Sequence, residues 1–134
     1  MNAASNSPAY DPVGEHTLQV IAGARQFNTW MFRVIQPYIS GRILEIGSGI
    51  GNISSLLLQE YSSVTLSDIN PQYCSYLHEH YGHFTSLESI ERLDLVAPDF
   101  EQHNASLLQG FDTIILLNVI EHIEDHDQAV NNAK

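Results

Sequence analysis

A chain of 134 residues, 43% hydrophobic and 16% charged, has the composition of one globular domain and not of a disordered segment. Sixteen Asp and Glu against five Lys and Arg give a formal charge of −11, and such a surface repels nucleic-acid phosphates and anionic membranes, arguing against both as partners. A single cysteine, Cys74, no apolar run near the ~20 residues of a membrane span, and no basic-then-apolar leader at the N-terminus together predict a cytoplasmic protein.

Residues 1–14, rich in Asn, Ala, Ser and Pro, read as a flexible arm, and 15–134 as one folded domain. From Glu15 to Tyr38 the residues Leu18, Ile21, Ala22, Phe27, Trp30, Met31, Val34 and Ile35 recur at three-to-four spacing. That predicts one or two amphipathic helices, stopped by Pro37 and Gly41. A first strand is expected at Arg42–Ile46, a helix from Asn52 to Tyr61, and a second strand at Ser63–Ser67 ending on Asp68. Pro71 sits where a helix begins, so Pro71–His80 is helical, with Tyr73, Leu77 and Tyr81 on one face. A weaker third strand is expected at Glu91–Leu95, an irregular stretch at Ala97–Gln109, a strong buried strand at Asp112–Leu117 and a helix over Val119–Ala133. Strands alternating with helices at this pace make βαβ units and a parallel sheet with flanking helices.

The stretch with most chemical content is Glu45-Ile46-Gly47-Ser48-Gly49-Ile50-Gly51-Asn52, a glycine-rich turn between strand and helix. Glycine at alternate positions allows positive φ and lets a ligand approach the main chain. The dinucleotide fingerprint G-x-G-x-x-G fails because Asn52 holds its third place. The phosphate loop fails too, because the only lysine in the chain is Lys134. A glycine turn beside Glu45, with no cation near it in sequence, suits a ligand of little negative charge, such as one carrying an amine or a sulfonium. A purely structural turn is the other reading. Asp68 lies 17 residues beyond Gly51, near the ~20-residue offset of an acid that grips a ribose hydroxyl pair. It can equally cap the turn before Asn70-Pro71.

Glu45-Ile46-Gly47-Ser48-Gly49-Ile50-Gly51 resembles motif I, E/D-x-G-x-G-x-G, of the class I S-adenosylmethionine-dependent methyltransferases. The resemblance implies a Rossmann-like α/β fold with sheet order 3-2-1-4 over its first four strands, and S-adenosylmethionine as cofactor. Glu45, Ile46, Gly47, Ser48, Gly49, Gly51 and Asn52 then become candidate cofactor residues, with Glu45 acting on the methionine ammonium through water. Asp68 would hold the ribose and Ile69 would pack on adenine. Asp94, with Leu95, would reach the adenine amino group.

Further along, Phe111-Asp112-Thr113-Ile114 through Val119-Ile120-Glu121-His122-Ile123-Glu124-Asp125 resembles the strand-four region of the branch that methylates small molecules. Asn118-Val119-Ile120-Glu121 replaces the Asn/Asp-Pro-Pro-Tyr/Phe of enzymes acting on DNA bases or protein amides. The resemblance places Asn118 beside the methionine part of the cofactor, and Glu121 and His122 beside the active site. His122 is the candidate general base, if the acceptor must lose a proton; ordering the loop is its other role. Tyr10, Phe27 and Trp30 are either core or a lid over the cofactor.

His122 and His126 stand four apart on an expected helix, and His78, His80 and His83 form a second group, but neither has the H-E-x-x-H order of a metal site, and no metal is expected. The family fold has seven strands and this sequence carries signals for four, so a truncated, N-terminal portion is expected. Its fourth strand would then be an exposed edge that pairs with another copy. The reading is a methyltransferase acting on a small-molecule acceptor. Its rivals are a noncatalytic cofactor-binding or assembly module and, behind that, an NAD-binding oxidoreductase domain.

Overall fold

Ile43–Ile46 forms β1, and all four of its residues are buried, as a strand covered on both faces requires. The structure, a computed structural model, describes residues 12–134. β1 runs parallel to β2 (Val64–Asp68) on one side, with Ile43 opposite Val64, and to β4 (Thr113–Leu116) on the other, with Ile46 opposite Leu116. β3 (Leu87–Arg92) pairs with β2, giving the order β3-β2-β1-β4. Among the described residues five α-helices accompany the sheet: α1 (Pro12–Ile35), α2 (Ser54–Glu60), α3 (Pro71–Tyr81), α4 (Phe100–His103) and α5 (His126–Ala133). Both the parallel Rossmann-like sheet and its order agree with the sequence reading. No helix among the described residues is long and apolar enough to cross a membrane.

Successive residues of a strand point to opposite faces, and β1 supplies both cores in turn. Ile43 joins Val64, Leu66, Leu57 and Leu77 on the face covered by α2 and α3. Leu44 and Ile46 join Leu93, Leu95, Phe100 and Ala129 on the other, covered by α4 and α5. The same alternation sends Glu45 to the first face, beneath the start of α2.

Three expectations need correction. The third strand is Leu87–Arg92, not Glu91–Leu95. Ser86 anchors its start, accepting from Val64 N at 2.9 Å and donating from Oγ to Leu58 O at 2.6 Å. Leu93 N makes the last bond to β2, at Asp68 O, after which Leu93 and Leu95 turn into the second core. Asp94 therefore lies two residues beyond the strand.

The helix expected over Val119–Ala133 is broken. Ile120–His122 is a single 3-10 turn, Ile123 is extended, and α5 starts afresh where Asp125 Oδ1 accepts from Gln128 N at 3.0 Å. His122 and His126 thus do not share a helical face.

The N-terminal periodicity gives one continuous helix that begins at Pro12, so residues 12–14 belong to it; the rest of the expected arm, and Tyr10, lie outside the described residues. The last turns of α1 reach the core through Met31, Phe32 and Ile35. Ile21, Phe27, Trp30 and Val34 are exposed, with the Phe27 and Trp30 rings tilted against each other at 36° and a centroid distance of 5.8 Å.

Candidate functional site

The carboxyl ends of β1, β2 and β4 open into a cleft of about 780 Å³, a volume in the range of small-molecule sites. This is where an open α/β sheet binds its ligand. The cleft floor is the glycine turn. Gly47 and Gly49 line it at φ +78° and +56°, a left-handed backbone that residues with a β-carbon resist. Gly47 N and Ser48 N both donate to Ser67 O at 2.9 Å, so β2 holds the turn in place.

Asp68 caps the turn and also stands at the cleft. Its Oδ2 accepts from Gly49 N and its Oδ1 from Asn70 N, each at 2.9 Å, while the carboxylate borders the cleft. Each oxygen has a further lone pair for a ligand hydroxyl. Ile69 follows with its side chain exposed, its carbonyl accepting from Arg92 Nε at 3.1 Å. Asp94 also borders the cleft from its loop, where Oδ1 accepts from Val96 N at 3.1 Å. Leu95 does so from within the second core.

Of the candidate residues, Ile46, Gly47, Gly49, Asp68, Ile69, Asp94, Leu95, Asn118 and His122 come together around the cleft. Glu45, Ser48, Gly51 and Asn52 are not among the residues that line it, nor is Glu121. Gly51 is buried under the Tyr81 ring, whose hydroxyl donates to Gly51 O at 3.3 Å. Any β-carbon at Gly51 would lie 2.3 Å from that ring.

Glu45 is 4% exposed and turned inward, because alternation along β1 aims it under α2. Ser48 Oγ, at 3.0 Å, and Ser54 Oγ both donate to its Oε2, and Ser67 Oγ donates to its carbonyl at 2.8 Å. Burial pushes its carboxyl above the ordinary value of 4.5, the two serine hydroxyls oppose that, and the charge of Asp68 adds to it. The folded chain therefore keeps this proton at pH values where the unfolded chain has lost it. The contribution of Glu45 to stability falls as pH rises from the ordinary value through the raised one. Glu45→Gln is expected to remove that decline, so urea unfolding of the variant should lose less stability between about pH 4.5 and neutrality. Parallel pH profiles for the two proteins would count against a buried, proton-holding Glu45.

Other lining residues were not read from the sequence. Tyr73 sits on the first turn of α3, and Pro71 directly after the Asp68 turn was the available signal. Val119, Glu124, Asp125 and Gln128 come from the broken segment after β4, where an unbroken helix was expected. The lining contains four carboxylates, Asp68, Asp94, Glu124 and Asp125, with His122 and no Lys or Arg. Among the described residues no group of three or more His, Cys, Asp or Glu is placed to hold a metal ion. In the second histidine group, His80 stacks on Tyr76 at 3.8 Å and His83 lies against Phe84.

A family model described as a methyltransferase domain matches residues 44–134, which cover the sheet, the glycine turn and the cleft. The reducing polyketide synthase Preu2 of Preussia isomera is 28% identical over 109 residues, 77% of this chain but 5% of that protein. The crystal structure of selenomethionine-substituted CurJ carbon methyltransferase shares the fold with a TM-score of 0.58 at 22% identity. That alignment covers 81% of this chain and 30% of the other. The chain thus spans only a small part of the length of either protein.

Proposed function

The chain belongs to the methyltransferase-domain family, and we propose that its cleft binds S-adenosylmethionine and presents the methyl group to a carbon nucleophile on a small molecule. The observation that carries the cofactor is the lining itself. Four carboxylates without a lysine or arginine favour a cation and repel a pyrophosphate. The shape agrees. Gly49 leaves room for a ligand against the main chain, Gly47 lines the cleft beneath Val119, Asp68 offers acceptors to a pair of ribose hydroxyls, and Ile69, Tyr73 and Leu95 offer apolar surface to a base.

When bound, the cofactor supplies an electrophilic methyl carried on a sulfonium. The protein's part is to align the acceptor behind that methyl and to exclude water. His122, on the wall formed after β4, accepts the proton of a carbon acid at an imidazole nitrogen. A carbon acceptor is preferred because one similar protein is named a carbon methyltransferase and the other a reducing polyketide synthase, which points to an acyl thioester with an acidic α-carbon.

Incubation with methyl-labelled S-adenosylmethionine and a 3-oxoacyl thioester tests this. Label is expected on the α-carbon, with His122→Gln about a hundred-fold slower. Transfer to a catechol oxygen in place of the thioester carbon would contradict the acceptor class. Cofactor binding without any turnover would favour a second reading, a cofactor-holding module. The open edge of β4, unpaired among the described residues, supports association with a second copy. A strictly monomeric mass in light scattering at high concentration would rule that out.

A further inference from the structure

Asn118 is the first residue beyond Leu117 at the end of β4 and has a φ of +56°. Only Gln109 shares left-handed backbone with it among the described non-glycine residues. That conformation is disfavoured for most side chains and tolerated by asparagine and glycine. The Asn118 side chain is exposed, and its amide makes no hydrogen bond to another of the described residues. Its backbone has a visible consequence. The chain turns at Asn118 and Val119 comes to lie on the glycine turn, so close that a β-carbon at Gly47 would sit 2.4 Å from Val119 Cγ2. The next residues wind into the 3-10 turn, with His122 N donating to Val119 O at 3.0 Å and Ile123 N to Ile120 O at 3.1 Å. His122 thereby joins the cleft wall.

We propose that Asn118 is a positioning residue whose left-handed backbone, and not its amide, seats Val119 on Gly47 and so fixes His122 at the cleft. A side chain that contacts ligand and a backbone that aims the following turn predict opposite results for one substitution. Asn118→Gly deletes the amide and keeps the left-handed conformation accessible. Asn118→Ala deletes the amide and penalises that conformation. Asn118→Asp keeps an asparagine-like tolerance of it with a different end group.

Two readouts follow, and only the second rests on the cofactor reading. The first is the imidazole resonances of His122 in the ligand-free protein, assigned by their absence from His122→Gln. They are expected to stay in place in Asn118→Gly and Asn118→Asp, and to shift or broaden in Asn118→Ala. The second is the dissociation constant of S-adenosylhomocysteine by calorimetry, expected within about two-fold of the parent for Gly and about ten-fold weaker for Ala.

A Gly variant that weakens binding as much as the Ala variant would overturn the proposal and make the amide a ligand contact. An Ala variant with unmoved His122 resonances would overturn it as well. If the parent fails to bind S-adenosylhomocysteine while the His122 series behaves as expected, the cofactor reading fails and the positioning role of Asn118 stands. Should Asn118→Ala not fold, Asn118→Gly alone decides, since it removes the amide at no conformational penalty.

Discussion

Gly47→Ala is expected to weaken S-adenosylhomocysteine binding by at least about a hundred-fold, roughly 3 kcal/mol. Two costs combine at this position. The residue has a φ of +78°, which costs a residue with a β-carbon about 1–2 kcal/mol. The new methyl would also lie 2.4 Å from Val119 Cγ2, and Val119 is β-branched with little freedom to rotate away. Calorimetry on a small set separates the two. Val119→Ala in the Gly47→Ala background should recover about ten-fold, the share due to the clash. Gly49→Ala has a similar φ of +56°, but its β-carbon would meet no described residue other than its chain neighbours within 4 Å, so its loss reports conformation and ligand approach without the clash. Equal losses at Gly47 and Gly49, with no recovery from Val119→Ala, would show that the contact between the two segments is unimportant.

Asp68→Asn is expected to cost about a hundred-fold or more in affinity for S-adenosylhomocysteine. Hydrogen bonds to a charged acceptor are worth about 1.5–3 kcal/mol each, and the variant replaces a carboxylate that would take two ribose hydroxyls. It also disturbs the protein, because one oxygen becomes an NH2 facing either Gly49 N or Asn70 N, both of which now donate to Asp68. A lower unfolding midpoint is therefore expected alongside the loss of affinity, by about 1–3 kcal/mol of stability. Comparing adenosine with adenine isolates the ribose contribution. The parent should prefer adenosine, and Asp68→Asn should lose that preference. A variant that still prefers adenosine as strongly as the parent would move Asp68 from ribose binding to turn capping alone.

Legibility in the sequence followed burial. β1 and β4 emerged within one or two residues of their bounds because they are mostly apolar runs flanked by turn residues, and β2 because Val64 and Leu66 alternate with polar residues ahead of the Asp68 turn. β3 slid because its sequence, Leu-Glu-Ser-Ile-Glu-Arg, is mostly polar and gives a weak pattern, and its start is set by the distant partners of Ser86. The periodicity of α1 marked a helix correctly but not its contacts, since Phe27, Trp30 and Val34 carry the apolar pattern while facing outward.

At the site, the glycine spacing and the two acids Asp68 and Asp94 led to the cleft. Glu45 led away from it, because the two-residue alternation that buries Ile43 buries Glu45 on the same face. The break at Ile123 had no strong local signal, and with it went Val119, Glu124, Asp125 and Gln128 as lining residues. Capping by Asp125 of Gln128 N was the one clue, and it is easily lost among the neighbouring acids.

The acidic, glycine-floored cleft of this methyltransferase-family chain is expected to select S-adenosylmethionine over a pyrophosphate cofactor. Titration calorimetry with S-adenosylhomocysteine and with NAD, under the same buffer and salt, tests it most directly. Binding of S-adenosylhomocysteine at one site, with no measurable heat from NAD, is the expected result. Tighter binding of NAD would contradict the account.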